Sequence, residues 1–163
     1  MDLKNFNFAP LHCFDKQWAL LAAGDKKIFN TMTISWGGFG TLWGKPIATV
    51  YVRPTRYTYE FMESNQYFSV SFYDEKYKND LVLLGSKSGR DLDKVAMTTL
   101  TPNFLENTVS FEQANLTIVC KKIYFGDLDP ENITQDVMDN FYGSDGIHRM
   151  YIGEVVDIID RRT

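Results

Sequence analysis

The stretch NTMTISWGGFGTLWG, residues 30–44, places hydroxyl side chains at alternate positions and then continues into a run rich in glycine. Thr31, Thr33 and Ser35 carry the hydroxyls, and apolar side chains stand between them. Because successive side chains of a β-strand point to opposite faces, this alternation predicts a half-buried strand with one polar face. Two interpretations are open at this point: the polar face contacts water, or it forms a row of donors for a ligand.

The same reasoning predicts strands along most of the chain. Alternating or β-rich segments lie at residues 17–23, 28–36, 47–52, 67–74, 115–128 and 149–159. The segment 47–52 is almost entirely apolar, which predicts a strand covered on both faces. Because so many strands at short spacing must bury their edges, we expect a mainly β fold, an antiparallel β-barrel that is closed or nearly closed and carries short helices.

Four short helices are predicted between the strands. The first follows Pro54, with Thr55 as its N-cap, and the second covers residues 78–84. The third begins after Asp91, another residue type that favours the N-cap position, and the fourth lies within residues 130–142. Each helix is bounded by a strand or by a proline or glycine, so we expect all four to be short.

Composition limits the class of protein. A chain of 163 residues with 44% hydrophobic residues can bury a core and is predicted to form a single domain over residues 1–163. The net charge of −4 gives no general attraction to nucleic acid or anionic lipid. The chain begins without a basic segment and apolar core, and no later run reaches the roughly 20 apolar residues of a membrane span. We therefore expect a soluble cytoplasmic protein with no nucleic-acid or membrane partner.

The side chains that most often carry chemistry are scarce. Cys13 and Cys120 form no CxxC pair, and His12 and His148 are the only histidines, so we expect neither a metal site nor a cysteine redox pair. The sequence also lacks the G-x-S-x-G, H-E-x-x-H and G-x-G-x-x-G motifs. We expect no catalytic side chain and infer that a bound cofactor carries the chemistry.

Two basic segments contain the donors that an anion needs. The segment VRPTRYT, residues 52–58, joins a predicted strand to a predicted helix, where free backbone N–H groups favour an anion. The segment SKSGRDLDK, residues 86–94, surrounds Gly89, which lets backbone amides approach a phosphate closely. Either segment alone also fits a solvated surface loop. Together with the hydroxyl row and the nearby aromatic side chains, they predict a site for a mononucleotide with a flat ring.

Three motifs in this order carry a resemblance to a known family. They are N-x-M-T-x-S-W at residues 30–36, R-P-x-R-Y-T at 53–58 and S-G-R-D-x-D-K at 88–94. The chain resembles the flavin reductase-like family of FMN-binding split barrels, close to the flavoredoxin type, over nearly its whole length. The resemblance implies an antiparallel split barrel of Greek-key type, FMN as the cofactor, and a homodimer with FMN near the subunit interface.

The resemblance also implies a set of cofactor-binding residues. They are Asn30, Thr31, Thr33, Ser35, Trp36, Arg53, Thr55, Arg56, Tyr57, Thr58, Ser86, Ser88, Gly89, Arg90, Lys94, His148 and Tyr151. The first motif would follow the flavin, and the second would surround the ribityl chain and phosphate. The third motif, with Ser86 before it, would supply the remaining phosphate or ring contacts. His148 and Tyr151 would approach the ring from a late strand, although a lone histidine also fits a structural role. Asp91 is interpreted as a helix cap, because its carboxylate would repel a phosphate.

Three functional hypotheses follow. The first, implied by the resemblance, is an NAD(P)H-dependent flavin reductase that passes electrons through FMN to a small-molecule or protein acceptor. The second is a flavoredoxin-like electron carrier that is reduced by a redox protein and lacks its own nicotinamide site. The third is a barrel that binds no flavin and serves as an interaction module. Proteins of this family hold FMN either as a prosthetic group or as a substrate that leaves after reduction, and both remain open here.

Overall fold

The structure is a computed structural model that describes residues 6–162 of the chain. The strands in this range are β1 (Ala19–Gly24), β2 (Phe29–Ile34), β3 (Gly37–Leu42), β4 (Lys45–Val52), β5 (Tyr67–Phe72), β6 (Pro102–Phe104), β7 (Val109–Phe111), β8 (Leu116–Asp127) and β9 (Arg149–Asp160). The α-helices are α1 (Pro10–His12), α2 (Thr58–Ser64), α3 (Lys78–Ser86) and α4 (Gln135–Phe141). Mainly β architecture with short helices is therefore confirmed.

Seven of the strands form one antiparallel sheet. Its order is β2-β1-β5-β8-β9-β4-β3, and β6 and β7 form a separate two-stranded ribbon. β8 and β9 are the longest strands of the sheet, and their register runs from the pair Leu116–Asp160 to the pair Asp127–Arg149. The register shifts twice along this pair, which bends the strands and lets the sheet curve.

The sheet separates two apolar clusters. Leu20 and Leu21 are adjacent in β1 and point to opposite faces, so Leu21 packs in the main core while Leu20 packs against α3 and β7. β5 follows the same rule, since Phe68 and Val70 lie in the main core. The alternate hydroxyl of Ser69 is also buried and donates to the carbonyl of Val109 in β7. The alternating apolar and serine side chains of β5 are therefore buried on both faces of the strand, and neither face is exposed to solvent.

The glycine-rich run after β2 forms a strand that the sequence did not predict. β3 pairs with β4 through a tight turn at Trp43 and Gly44, which have φ values of 52° and 71°. Positive φ at both central residues matches the right-handed twist of a two-residue hairpin. Glycine weakens the sequence signal for a strand because it lacks a side chain to pack, although the hairpin geometry accepts it.

The prediction that residues 47–52 are covered on both faces was wrong for the chain that the structure describes. Ala48, Val50 and Val52 are buried in the main core, whereas Ile47 and Tyr51 on the other face remain partly exposed. The apolar side chains on the second face therefore lack cover from the described residues of the same chain.

Two details of the predicted helices were also wrong. α2 begins at Thr58 and not at the predicted cap Thr55, because backbone turns join Arg56 to Arg53 and Tyr59 to Arg56 before the helix. The predicted third helix is a single turn of 3-10 helix, Val95–Met97.

The remaining helix predictions have different outcomes. Asp91 does not cap the short 3-10 turn, whose N-cap position is Lys94, and the amide of Ala96 in the turn donates to Oδ1 of Asp93 at 3.2 Å. The helices predicted at 78–84 and within 130–142 are confirmed as α3 and α4. None of the helices in the described part of the chain is both long enough and apolar enough to cross a lipid bilayer.

Candidate functional site

The two basic segments of the sequence meet at one cleft of about 140 Å³, which we call the anion cleft. It lies where β2, the turn before α2 and the loop after α3 come together. Its lining residues are Asn30, Met32, Thr55, Arg56, Tyr57, Thr58, Gly85, Ser86, Lys87, Ser88, Gly89 and Lys94. No described residue of this lining is acidic. The cleft therefore concentrates positive charge and neutral donors.

Lys94 forms the buried wall of the anion cleft. Only 3% of its surface is exposed, and its Nζ donates to the carbonyls of Leu84 at 2.8 Å and Lys87 at 3.1 Å. An ammonium group has three N–H donors, so one donor remains for a ligand. Burial, followed by the nearby charge of Arg56, lowers the pKa of Lys94 to about 8. A bound anion would stabilise the charged form of this side chain.

Arg56 supplies the second cation. Its Nη2 donates to the carbonyl of Gly85 at 2.8 Å, which fixes the guanidinium against the end of α3. Burial lowers the pKa of Arg56, yet a guanidinium stays charged at physiological pH. Two half-buried or buried cations that lack an acidic partner in the cleft repel each other. An anionic ligand would relieve that repulsion.

Two glycines allow the loop after α3 to close on β2. A Cβ added to Gly89 would lie 2.2 Å from Oδ1 of Asn30, so no larger residue fits without moving the asparagine. The amide of Asn30 is itself fixed, because its Nδ2 donates to the hydroxyl of Thr58 at 2.9 Å. A Cβ on Gly85 would lie 3.1 Å from Cβ of Thr33. The cleft is therefore a close-packed structure with a fixed outline.

The row of hydroxyls divides into one buried and two accessible members. Thr31 is fully buried, and its hydroxyl donates to the carbonyl of Leu21 at 2.9 Å in the neighbouring strand. Thr33 donates its hydroxyl to the carbonyl of Leu81 in α3 and remains partly exposed, as does Ser35. Only the last two hydroxyls of the row therefore face a surface that a ligand can reach.

Two shallow grooves continue from the anion cleft past these hydroxyls. The hydroxyl groove, of about 330 Å³, is lined by Trp18, Thr33, Ser35, Leu81, Val82, Gly85 and Ser86. It shares Gly85 and Ser86 with the anion cleft. The aromatic groove, of about 400 Å³, is lined by Pro10, Leu11, Phe14, Asp15, Ser35, Trp36, Gly37, Gly38 and Phe39. It shares Ser35 with the hydroxyl groove, so the three spaces lie next to one another in series.

A second group of predicted site residues lies beside α4 and not in the anion cleft. Arg53 donates to the carbonyls of Phe141 at 2.6 Å and Gly146 at 3.3 Å, and its guanidinium lies 5.3 Å from the ring centre of Tyr142. These contacts anchor the end of α4 and the loop that follows it. Arg53 and Arg56 are three residues apart in one motif, yet they serve different parts of the structure.

His148 belongs to this second group together with Trp36. The ring of His148 is 7% exposed, and its Nδ1 shares a hydrogen bond of 2.9 Å with the hydroxyl of Tyr142. Its ring centre lies 5.2 Å from that of Trp36, which is 45% exposed at the aromatic groove. Burial, and then the charge of Arg53, lower the pKa of His148 to about 4. His148 is therefore neutral at neutral pH and supports Trp36 from behind.

This burial of His148 predicts an acid-labile fold. Histidine ordinarily titrates near 6.5, so between pH 6.5 and 4 the unfolded chain binds a proton that the folded chain does not. The free energy of unfolding should fall by about 3 kcal/mol as the pH drops through this window. Urea unfolding at several pH values measures the effect. His148→Asn should flatten the decline, and His12→Asn at an exposed position should preserve it; an unchanged decline in His148→Asn would contradict the assignment.

Arg90 and Tyr151 do not line the anion cleft. Arg90 pairs with Glu60, and its guanidinium lies 4.9 Å from the ring centre of Tyr57. Tyr151 is fully buried in the main core, and its hydroxyl donates to Oε1 of Glu63. A contact of either residue with a cofactor stays a prediction.

Three lining residues of the cleft were absent from the sequence-based set. They are Met32, Gly85 and Lys87. Gly85 directly follows the helix predicted at residues 78–84, and no local pattern marks it as a lining residue, because its close packing depends on Thr33 in β2, far away along the chain. Lys87 belongs to the basic segment 86–94, but the sequence alone does not show which lysines of that segment line the cleft and which are exposed to solvent.

Comparison with solved structures identifies the fold. The flavoredoxin from Methanosarcina acetivorans superposes with a TM-score of 0.68 at 20% identity, covering 98% of this chain and 74% of that chain. An FMN-binding protein from Thermus thermophilus gives 0.70 at 19% identity, with 99% and 80% covered. An NADH:FAD oxidoreductase from Streptomyces globisporus gives 0.65 at 14% identity, with 88% and 74% covered. The predicted split-barrel fold is therefore confirmed.

The sequence comparisons complete this result. No curated protein matches the chain. Residues 11–162 match the family described as the flavin reductase like domain. Since this match covers nearly all of the described residues and includes all three motifs, the chain belongs to the flavin reductase-like family.

Proposed function

We propose that this chain is an FMN-binding oxidoreductase, and specifically an NAD(P)H-dependent flavin reductase that passes electrons through FMN to a further acceptor. The observation that carries the proposal is the series of neighbouring spaces from the anion cleft, through the hydroxyl groove, to the aromatic groove. Its sequence of cations, hydroxyls and aromatic rings matches the phosphate, polyol and flat ring of FMN in order. Membership of the flavin reductase-like family supports the same function.

The residues of the anion cleft fit a phosphate. Arg56 and Lys94 provide charged N–H donors beyond those already bonded to carbonyls, and Thr55 adds a hydroxyl. At about 140 Å³ the cleft is smaller than the roughly 300–1,000 Å³ of a pocket that encloses a whole ligand. It therefore suits the tail of a mononucleotide, with the remainder of the ligand in the two adjoining grooves.

The residues beyond the cleft fit the rest of FMN. The O–H group of Thr33 donates to the carbonyl of Leu81, and its oxygen keeps lone pairs that can accept from a polyol. Ser35 can both donate and accept. Trp36 and Phe39 offer flat apolar surface to a ring. The chemistry that FMN supplies when bound is the acceptance of a hydride and the onward transfer of electrons. The side chains of this chain hold and orient the cofactor, which agrees with the scarcity of nucleophiles and bases in the sequence.

We also propose a homodimer with FMN near the subunit interface. The second face of β4 carries partly exposed Ile47 and Tyr51, and Trp36 and Val82 expose about half of their surface beside the grooves. Apolar surface of this kind is often covered by a partner subunit. A second copy would deepen the shallow hydroxyl and aromatic grooves. The continuous seven-stranded sheet supports a single domain, and we place that domain in the cytoplasm.

The alternative function is a flavoredoxin-like carrier that receives electrons from a redox protein. The exposure of Trp36 at the aromatic groove, and of Phe141 whose ring packs against Trp36, favours it, because electron transfer between proteins needs the redox group close to the surface. The same surface also admits a small nicotinamide donor. The geometry of the described residues thus fits either electron source.

Anaerobic stopped-flow reduction separates the two functions. The chain would be loaded with FMN and mixed with NADH, with NADPH or with a reduced ferredoxin, while the absorbance of oxidised flavin is followed. We expect rapid and saturable bleaching with at least one nicotinamide. Slow bleaching by both nicotinamides together with rapid bleaching by the redox protein would reject the reductase and favour the carrier.

A further inference from the structure

The excess negative charge of the chain is concentrated in one segment, residues 129–146, which contains α4. Of the 21 acidic residues, five lie here and 16 elsewhere, where they stand against all 17 lysines and arginines. The segment therefore carries a charge of −5, and the rest of the chain together carries +1. All five carboxylates are exposed, and we call them the acidic surface: Asp129, Glu131, Asp136, Asp139 and Asp145.

The carboxylates of the acidic surface have no cationic partner within residues 6–162. None of the five takes part in an ion pair in this range. Their hydrogen bonds come from neutral groups instead: Oδ1 of Asp129 accepts from the amide of Glu131 at 2.9 Å, and Oδ1 of Asp139 accepts from the side-chain amide of Gln135 at 2.7 Å. The acidic surface therefore presents uncompensated charge to solvent.

An exposed aromatic ring lies at the C-terminal end of α4, between the acidic residues Asp139 and Asp145 in the chain. Phe141 is 47% exposed, and its ring packs edge-on against Trp36 with 5.5 Å between the ring centres. Trp36 lines the aromatic groove, where the flavin ring is proposed to lie. A partner that covers Phe141 therefore comes within one aromatic pair of that groove.

The end of α4 has a fixed position relative to the barrel. Arg53, which directly follows β4, donates to the carbonyls of Phe141 and Gly146, and its guanidinium lies beside the ring of Tyr142. Arg53 brings one positive charge to this end of the helix, and its partners there are two carbonyls and a ring rather than a carboxylate. The five negative charges of the acidic surface consequently outweigh it, on a surface that is rigidly placed beside the aromatic groove.

From this arrangement we propose that the acidic surface and Phe141 dock a redox protein with a lysine-rich surface around a one-electron centre, and that this protein accepts the electrons of reduced FMN. The inference rests on the proposed function, because FMN is its electron source. Opposite charge steers such a partner toward the aromatic groove and orients it there. Complexes of electron-transfer proteins are small and transient, so one exposed ring within a charged surround is sufficient.

The sign of the charge distinguishes this partner from other occupants. Nucleic acid and anionic lipid carry the same sign as the acidic surface and would be repelled by it. A second copy of the chain that paired α4 with α4 would bring two acidic surfaces together, which like charge disfavours. A metal ion needs converging ligands, and the described residues contain no group of three or more His, Cys, Asp or Glu side chains that could hold one.

The electrons balance with two partner molecules. NADH or NADPH gives a hydride, which is two electrons and a proton, to FMN: a C–H bond of the nicotinamide breaks and an N–H bond of the flavin forms. Two ferric partner molecules then take one electron each and become ferrous. The flavin returns to its oxidised form, and the proton of the N–H bond passes to water.

Anaerobic stopped-flow oxidation tests the docking surface in three FMN-loaded proteins. The first is the unaltered chain, the second carries Asp136→Asn and Asp139→Asn, and the third is a control with Glu75→Gln and Glu106→Gln, two exposed carboxylates outside the acidic surface. Both double variants remove two negative charges, so the net charge changes equally. Each protein is reduced with stoichiometric dithionite, which makes the test independent of a nicotinamide, and is mixed with a lysine-rich ferric cytochrome c or with uncharged benzoquinone.

We expect the variant in α4 to reduce the cytochrome about 3- to 10-fold more slowly than the unaltered chain at low salt, and the control variant to differ by less than about 1.5-fold. The rate constant of the unaltered chain should fall by about tenfold or more between about 10 mM and about 0.5 M salt, because exposed charges are screened. Benzoquinone should oxidise all three proteins at the same rate at either salt concentration, which shows that the flavin itself is unchanged.

Carbodiimide cross-linking locates the contact without a flavin. The reagent joins a carboxylate to a lysine amine where the two touch, so the flavin-free chain and ferric cytochrome c are sufficient. We expect the cross-links in peptides from residues 129–146, and we expect them to disappear at high salt.

Other results would overturn the inference in distinguishable ways. Equal slowing in the two double variants, or a cytochrome rate that does not depend on salt, would reject docking at α4. Cross-links that concentrate outside residues 129–146 would reject it as well, and cross-links between two copies of this chain within that segment would assign the surface to a second copy. Failure of FMN to bind would reject the proposed function and the acceptor role, and the cross-links alone would then decide whether the acidic surface binds a basic protein.

Discussion

Replacement of Arg56 by methionine is expected to weaken FMN binding by about 10- to 150-fold and riboflavin binding by less than about threefold. The two ligands share the ring and the ribityl chain and differ only in the phosphate. Arg56 lines the anion cleft, and its guanidinium keeps free N–H donors after the bond to Gly85. Methionine keeps much of the apolar stem and removes the charge, so the change isolates the phosphate contact.

Fluorescence titration of both flavins measures this difference. Arg162→Met is a suitable control, because Arg162 pairs with Asp160 near the end of β9 and lines none of the three spaces of the FMN path. It should change neither affinity by more than about twofold. An equal loss of FMN and riboflavin in Arg56→Met would contradict the phosphate assignment, because it would indicate general damage to the site.

The second large effect is a loss of FMN affinity as the pH rises above 8. The pKa of Lys94 in the free protein is about 8, and a bound phosphate would raise it by stabilising the charged form. Above pH 8 binding must therefore take up a proton, and the dissociation constant should rise by up to about tenfold per pH unit. A phosphate monoester has its second pKa near 6, so the charge of the ligand is constant over this range.

The variant Lys94→Met provides the control for this pH dependence. Its FMN affinity should be low already at pH 7 and should stay nearly constant to pH 9.5, because the titrating group is absent. Riboflavin should show little pH dependence in either protein. A slope in the variant equal to that of the unaltered chain would reject Lys94 as the titrating group.

Unfolding does not explain the expected loss of affinity. The ordinary pKa of lysine, 10.5, is higher than that of Lys94 in the folded chain, so between pH 8 and 10.5 the unfolded chain binds more protons than the folded chain. The contribution of Lys94 to the free energy of unfolding therefore increases as the pH rises through this window. The chain should gain stability from this group while it loses affinity for FMN.

Much of the fold could be predicted because the strands obey local rules. The alternation around Thr33 and the β-rich segment of β8 each contain their own signal, and the structure confirms both as strands. β3 was not predicted, because its glycines give only a weak local signal for a strand. The strand geometry of β3 comes from its pairing with β4. The helix predicted after Asp91 failed because Lys94 turns inward to the carbonyls at the end of α3, which replaces helical continuation.

The residue types of the site could be predicted from the sequence, but the contacts and accessibility of each residue could not. The resemblance placed both Arg53 and Arg56 at the cofactor, yet their carbonyl partners lie at the ends of two different helices, α4 and α3. Likewise, Thr31 and Thr33 share one face of β2, but Thr31 is sealed in the interior and Thr33 borders a groove. The sequence identifies which residue types are present on a face, whereas burial by distant elements decides which of them a ligand can reach.

The most direct measurement is a titration of FMN with the purified chain, followed by flavin fluorescence, with the same titration of riboflavin beside it. If the anion cleft and its two grooves hold the cofactor, the fluorescence changes and saturates at micromolar protein with one FMN per chain, and riboflavin binds more weakly. Fluorescence of FMN that stays unchanged up to millimolar protein would contradict the flavin site and leave a split barrel that serves as an interaction module.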